Sequence, residues 1–175
     1  VEIWQQVLNA LATLHQAGLV HRDIKPPNVL LDTKIRGTVK LCDFGMVKVP
    51  DSNGSRPGIW VGTLEYISPE QRKSATDVDA RSDVYSAGVL MYRMLSGRLP
   101  ADVRAPLRAG RFGIPQCLVS LIEECLRKKR GERPGDAGEV LLRLNACVPD
   151  LSALPDKSKI PNRSTHVLRL SAIKR

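Results

Sequence analysis

The segment His-Arg-Asp-Ile-Lys-Pro-Pro-Asn-Val-Leu-Leu-Asp, residues 21–32, decides how this chain is interpreted. Within six residues it contains a carboxylate (Asp23), a cation (Lys25) and an amide (Asn28). Fifteen residues after Asn28 the sequence reads Asp-Phe-Gly at 43–45. Carboxylate and amide oxygens are ligands that Mg²⁺ accepts, so the pattern directs attention to metal-assisted chemistry.

The residues around this segment predict a β-hairpin. Residues 29–31 form a short apolar run, and residues 39–41 alternate between apolar and charged side chains. The polar stretch 32–37 lies between them, which is typical of two short strands joined by a loop. Such a hairpin would bring Asn28 and Asp43, which lie at its two ends, close together.

The remainder of the chain is dominated by helical patterns. Apolar residues recur at helical spacing over 1–19, and again over 83–96 with Ser82 as the expected N-cap. Two further helices are predicted around residues 118–125 and 137–144. The expected fold is therefore mainly α, a helix-rich domain with one small β-hairpin.

The pattern ends after Cys147, and residues 148–175 are predicted to be a basic, disordered tail beside a domain at 1–147. The chain has 175 residues and a net charge of +9 from 27 basic and 18 acidic residues. Part of the positive charge lies at 127–130 and part in the tail, and neither stretch is interleaved with aromatic residues. Nucleic acid is therefore not expected as a partner.

Two further sequence features limit the possible functions. No apolar run is long enough to span a bilayer, so no membrane segment is expected in this chain. The four cysteines form no Cys-x-x-Cys pair, which argues against a zinc site or a redox motif. Reduced thiols in a cytoplasmic protein are the simplest interpretation.

The three polar residues of the opening segment suit phosphoryl transfer. That reaction needs a carboxylate to accept the proton of the attacking hydroxyl, oxygen ligands for Mg²⁺, and cations near the migrating charge. Asp23 can be the base, while Asn28 and Asp43 can bind the metal. Lys25 lies two residues beyond Asp23, so in extended backbone both point to the same side and Lys25 can steady the phosphate. Each residue alone would be an ordinary surface or turn residue.

Four later motifs stand in order behind this segment: Gly-Thr at 62–63, Ser-Pro-Glu at 68–70, Ser-Asp-Val-Tyr-Ser-Ala-Gly at 82–88, and Glu-Arg-Pro at 132–134. Together with the first segment, they resemble the eukaryotic-type Ser/Thr protein kinase family over residues 1 to about 146. The resemblance covers only the large C-terminal lobe and implies an α+β kinase-like fold. The run at 62–71 is similar to that of bacterial members.

The resemblance implies transfer of the ATP γ-phosphate to a Ser or Thr hydroxyl of a protein substrate, with Asp23 as the base. ATP and Mg²⁺ (or Mn²⁺) would be the cofactors. Lys25, Asn28 and Asp43 would bind them, with Asn28 and Asp43 as the metal ligands. Lys25 and Thr63 favour Ser/Thr over Tyr substrates.

The resemblance also implies supporting roles for other residues. His21 and Phe44 would be packing residues of an internal apolar column. Arg22 would bind a phosphate on the activation loop, where Ser52 and Ser55 are candidate phosphosites by position only.

Three further residues are expected to support the site structurally. Glu70 and Arg133 would form a buried ion pair. Asp83, near the start of a helix, would bind the backbone of the loop that carries Asp23. Thr63, by contrast, is assigned to the activation loop, where it would contact Asp23 and Lys25 rather than serve as the main phosphosite.

The sequence also departs from the family. The β-rich N-terminal lobe, with its Gly-rich loop and strand lysine, is absent from these residues and is expected upstream of Val1. Because ATP lies between the two lobes in this family, the isolated chain is expected to bind nucleotide weakly and to have little activity. The alternative is a kinase-like scaffold or decoy that binds partners without catalysis.

Overall fold

The computed structural model describes seven parts of the chain: residues 1–32, 37–43, 64–73, 78–100, 107, 114–148 and 168–169. Four α-helices lie in these parts: α1 (Glu2–Gln16), α2 (Ala80–Ser96), α3 (Gln116–Cys125) and α4 (Ala137–Cys147). Three strands accompany them: β1 (Val29–Asp32), β2 (Thr38–Leu41) and β3 (Leu168–Arg169). Single 3₁₀ turns occur at Pro26–Asn28, Leu64–Tyr66 and Arg130–Glu132. The mainly helical fold with a small antiparallel sheet confirms the predicted fold class.

The core forms where α1, α2 and α4 pack together. Helix α1 buries one apolar stripe, and the Nε1 atom of its Trp4 donates a hydrogen bond of 3.0 Å to the carbonyl oxygen of Ala87 on α2. Most of α2 is buried, as expected for a helix surrounded by others. Among the described residues, no helix combines the length and apolar character that crossing a membrane requires.

The ends of α2 follow capping rules, although not at the residue that the sequence indicated. The helix begins at Ala80 because the Asp79 side chain accepts a hydrogen bond of 2.9 Å from the backbone N–H of Arg81. Ser82 is therefore not the N-cap, and the prediction was wrong by three residues. At the other end, Gly97 adopts φ 72°, the left-handed conformation that terminates helices.

Helices α2 and α3 approach each other closely at Gly88. A Cβ atom on this glycine would lie 2.7 Å from Cβ of Cys125. Only a residue without a side chain permits this approach, so Gly88 sets the distance between the two helices.

The sheet contains the predicted hairpin and one strand that the sequence did not reveal. Strands β1 and β2 pair antiparallel, with Val29 opposite Leu41. Strand β3 pairs antiparallel with the other edge of β1, giving the order β2-β1-β3. Its two residues lie within the tail that was predicted to be disordered, so for 168–169 the structure differs from that prediction. Pairing with an open strand edge satisfies backbone groups, a gain that side-chain pattern alone does not signal.

Candidate active site

Two of the predicted site residues, Lys25 and Asn28, both contact the predicted base Asp23 in the loop before β1. Oδ2 of Asp23 lies 2.8 Å from Nζ of Lys25. The same oxygen accepts a hydrogen bond of 2.8 Å from Nδ2 of Asn28, and Nδ2 also donates to the backbone oxygen of Asp23 at 2.8 Å. The Asp23 side chain is 30% exposed and that of Lys25 is 21% exposed. The carboxylate is thus oriented by two donors while remaining accessible.

The backbone explains why Lys25 meets Asp23. Lys25 has φ −158° and ψ 161°, which is extended backbone, so residues two apart point to one side. The turn Pro26–Asn28 follows immediately, and the N–H of Asn28 donates to the carbonyl oxygen of Lys25 at 2.9 Å. Proline suits this turn because its φ is already near the helical value.

The hairpin brings the Asp43 end of β2 next to Asn28. The carbonyl oxygen of Asn28 accepts a hydrogen bond of 3.0 Å from the N–H of Cys42, the residue before Asp43. Asp43 itself is exposed and has φ 56°. The structure therefore brings together the start of β1 and the end of β2, as the predicted hairpin required.

Backbone strain is concentrated at two of the predicted functional residues. Among the described residues, the non-glycine positions with positive φ are Arg22 (68°) and Asp43 (56°). Left-handed backbone costs roughly 1–2 kcal/mol for such residues, and strain of this kind clusters at functional sites. A hydrogen bond stabilises the left-handed conformation of Arg22: its carbonyl oxygen accepts from Nε2 of Gln71 at 3.0 Å.

Asp83, on α2, binds the backbone of the loop that carries Asp23. This fully buried carboxylate accepts hydrogen bonds of 2.7 Å from the N–H groups of His21 and Arg22. Its Oδ2 also lies 3.0 Å from Nε2 of His15 on α1. Three donors compensate for the cost of burying the charge. The expected contact between Asp83 and the loop backbone is present.

His15 is a supporting residue that the sequence analysis missed. Its Nδ1 accepts a hydrogen bond of 3.1 Å from the N–H of Ala137, the first residue of α4. Because Nδ1 accepts, Nε2 carries the proton and donates it toward Asp83. The imidazole thus links α1, α2 and α4. The only available signal was a polar residue within the apolar stripe of α1.

Glu70 and Arg133 form the ion pair that the resemblance implied. Their side chains make two hydrogen bonds, of 2.6 Å and 2.8 Å, and the Arg133 side chain is fully buried. Arg133 also donates to the carbonyl oxygens of Arg81, Arg127 and Lys128, and lies 4.9 Å from the ring centre of Tyr85. Each of the three guanidinium nitrogens therefore donates at least one hydrogen bond.

This pairing changes the acidity of Glu70. Burial by itself would raise the pKa of the carboxyl group. Hydrogen bonds from Arg133, from the backbone and from Ser82, with the charge of Arg133, outweigh burial and lower the pKa from 4.5 to about 2. Glu70 is therefore ionised at all physiological pH values and fixes segment 64–73 against α2.

Four of the sequence-predicted residues lie outside the described residues: Phe44, Ser52, Ser55 and Thr63. Their roles stay predictions, as does the binding of a phosphate by the Arg22 side chain. His21 is described and is buried, with 1% of its surface exposed.

The donor set suits Mg²⁺ and the phosphates of a nucleotide. The Nδ2 group of Asn28 is used in hydrogen bonds to Asp23, so the amide oxygen is the atom that can serve as a ligand. Asp43 adds an exposed carboxylate. Mg²⁺ commonly takes one or two protein oxygens and completes its octahedron with phosphate oxygens and water. Within the described parts, no cluster of three or more His, Cys, Asp or Glu residues could hold a metal by itself.

Comparison with known proteins identifies relatives of this chain. The family described as "Protein kinase domain" matches residues 1–142. The chain is 48% identical over 171 residues to Serine/threonine-protein kinase PknL of Mycobacterium tuberculosis, covering 89% of this chain and 42% of that protein. It is 41% identical over 170 residues to Serine/threonine-protein kinase pkn2 of Myxococcus xanthus, covering 85% and 20%.

A third relative is matched along the whole chain. The protein named Serine/threonine-protein kinases PknA of Corynebacterium glutamicum is 33% identical over 194 residues, covering 100% of this chain and 41% of that protein. The chain thus spans between one fifth and about two fifths of the length of these curated relatives. With the matched family and the arrangement of Asp23, Lys25 and Asn28, these similarities show that the chain belongs to the protein kinase family, among relatives that are bacterial Ser/Thr kinases.

Proposed function

We propose that this chain is the catalytic-loop part of a Ser/Thr protein kinase, which transfers the γ-phosphate of ATP to a Ser or Thr hydroxyl of a protein. The observation that carries the proposal is the Asp23 carboxylate, fixed at 2.8 Å by both Lys25 and Asn28. A lone surface aspartate would not need two side-chain donors on one oxygen.

The chemistry of the proposed step follows from which atoms are engaged. Oδ2 of Asp23 is occupied by Lys25 and Asn28, so Oδ1 is the oxygen that accepts the proton of the substrate hydroxyl. The hydroxyl oxygen bonds to the γ-phosphorus, and the bond from that phosphorus to the β–γ bridging oxygen breaks to release ADP. Lys25, beside the base, stabilises the negative charge on the transferring group.

The cofactors are part of the same proposal. Asn28 and Asp43 would hold Mg²⁺ (or Mn²⁺), which supplies charge neutralisation at the phosphate oxygens. Lys25 would contact the γ-phosphate. The preference for Ser and Thr over Tyr rests on Lys25 and Thr63, and agrees with the printed names of the relatives.

The domain organisation is proposed on the same grounds. Residues 1–147 would be the partial C-terminal lobe, and 148–175 a basic tail of which β3 pairs with β1. A small lobe that completes the nucleotide cleft would be required for full activity, so the 175-residue chain alone would be weak or inactive. The lobe would work in the cytoplasm, where ATP is present and cysteine thiols are kept reduced.

A phosphotransfer assay with labelled ATP tests the proposal. The full-length gene product and the 175-residue chain are compared on a Ser/Thr protein substrate, each also as Asp43→Ala. The proposal expects label on Ser or Thr with the full-length protein, much less with the short chain, and loss of label with Asp43→Ala. Equal transfer by the Asp43→Ala variant would refute the proposed metal-binding role of Asp43, and no transfer by the full-length protein would refute the proposal and favour the scaffold alternative.

A further inference from the structure

Two cysteines lie side by side at one end of the α3–α4 helix pair. Cys117 is the second residue of α3, and Cys147 is the last residue of α4. The Sγ atom of Cys117 lies 3.7 Å from the carbonyl oxygen of Cys147, although the two are 30 residues apart in the chain. The Cys117 thiol is therefore the donor and the Cys147 backbone the acceptor of this contact. This proximity could not be read from sequence, because no Cys-x-x-Cys spacing marks it.

The helix pair fixes these thiols in place. Further along the same interface, Arg143 of α4 donates a hydrogen bond of 2.7 Å to Glu124 of α3. Because Glu124 follows Cys117 while Arg143 precedes Cys147, the two helices run antiparallel and their cysteine ends are adjacent. The approach of the Cys117 thiol to Cys147 is therefore a consequence of how α3 and α4 pack.

The two thiols differ in access to solvent. Cys117 is exposed and Cys147 is half-buried, whereas Cys125 on the same helix as Cys117 is fully buried. Burial, followed by the hydrogen bond with Cys117, raises the pKa of Cys147 to about 11. Cys117 is thus the thiol of the pair that a dissolved oxidant reaches, and Cys147 is the neighbour that can resolve the product.

We propose that Cys117 and Cys147 form a reversible disulfide in the presence of a peroxide. The Cys117 thiolate attacks one peroxide oxygen, the O–O bond breaks, and Cys117 becomes a sulfenic acid while hydroxide leaves. The sulfur of Cys147 then attacks the sulfenic sulfur, and the hydroxyl group leaves as water with the thiol proton. In total, two thiols and one hydrogen peroxide give one disulfide and two waters.

The bond would tie the start of α3 to the end of α4, immediately before the tail begins. A crosslink between residues 30 apart restricts the unfolded chain and raises the thermal midpoint of the oxidised domain. In a reducing cytoplasm such a bond is transient, because thiol reductants restore both cysteines. Exposure to peroxide would therefore raise the thermal stability of the domain until the disulfide is reduced.

Peptide mapping of the 175-residue chain after mild treatment with hydrogen peroxide tests this proposal. Trypsin releases residues 112–127, which contain Cys117 and Cys125, and residues 144–157, which contain Cys147. Glutamyl endopeptidase then cuts after Glu123 and Glu124 and separates Cys117 from Cys125. The expected product joins the Cys117 fragment to the Cys147 fragment, with the loss of two hydrogen atoms, and dithiothreitol releases it.

Variants and a stability measurement complete the test. Cys117→Ser and Cys147→Ser should each abolish the linked peptide, and Cys42→Ser should retain it. The oxidised wild-type chain should melt about 5 °C or more above the reduced chain, while oxidised Cys117→Ser should show no rise. A link through Cys42 or Cys125, links only between molecules, or sulfinic acid at Cys117 with Cys147 unchanged would each overturn the proposal.

Discussion

Nε2 of His15 lies 3.0 Å from Oδ2 of Asp83, and this contact joins the fold to the catalytic loop. The same carboxylate accepts hydrogen bonds from the backbone N–H groups of His21 and Arg22. Nδ1 of His15 accepts a hydrogen bond from the N–H of Ala137. Stability of the helix packing and position of the loop therefore depend on one buried polar network.

Replacing His15 by Leu should lower the free energy of unfolding by about 2–3 kcal/mol. The substitution keeps apolar volume but leaves the buried N–H of Ala137 unsatisfied and removes one donor to Asp83. Urea unfolding followed by circular dichroism measures the change. The exposed neighbour Gln16, replaced by Ala, is the matched control and should change stability by less than about 0.5 kcal/mol. Similar losses for both variants would disprove this role of His15.

Stability should fall with acidification in the range set by Glu70. Its pKa in the folded chain is about 2, below the value of 4.5 expected when unfolded. A lowered pKa means that the stabilisation is fully present above pH 4.5 and is lost as the pH falls toward 2. The difference between these two pKa values corresponds to about 3 kcal/mol of free energy of unfolding. Unfolding free energies measured at intervals between pH 2 and 7 should show this decline.

The variant Glu70→Gln tests that assignment. It should destabilise the chain at pH 7 by about 3 kcal/mol, because it leaves the buried Arg133 without its counter-charge. It should also flatten the pH dependence between 4.5 and 2. Glu124→Gln is the control, because Glu124 and its partner Arg143 are 35% and 38% exposed and such pairs contribute little. An unchanged acid slope in Glu70→Gln would exclude Glu70 as its source.

Adding one methyl group at Gly88 should destabilise the domain. The new Cβ atom would lie 2.7 Å from Cβ of Cys125, so α2 and α3 must move apart. We expect Gly88→Ala to cost about 1–3 kcal/mol, partly offset by the better helix propensity of Ala. Gly131→Ala, at a position with no atom within 4 Å, should be nearly neutral. Thermal melts of both variants compare them, and a stabilised Gly88→Ala chain would contradict the close approach.

The elements that sequence predicted well are those with a local cause. The hairpin at β1 and β2 followed from a short apolar run and an alternating segment with a polar stretch between them. The end of α2 followed from Gly97, which adopts the left-handed conformation. The contact between Lys25 and Asp23 followed from the two-residue period of extended backbone. Each depends on residues close together in the chain, so the pattern contained the information.

The features that sequence did not reveal depend on distant residues. The role of His15 requires Asp83, 68 positions away, and Ala137, 122 positions away. The hydrogen bond from Gln71 to Arg22 spans 49 positions, and the proximity of Cys117 to Cys147 depends on helix packing. Strand β3 pairs through its backbone, which leaves little trace in side-chain pattern. Tertiary packing creates these contacts, and no local rule predicts them.

The most direct test of the central claim is the rate of phosphotransfer by the full-length protein with Asp23→Asn. The amide keeps the shape of the side chain but cannot accept the substrate proton. We predict a fall in kcat of about 10²–10⁴-fold, with little change in KM for ATP and with the urea midpoint retained. A kcat within twofold of the wild-type value, in a folded variant, would contradict Asp23 as the base and the proposed mechanism with it.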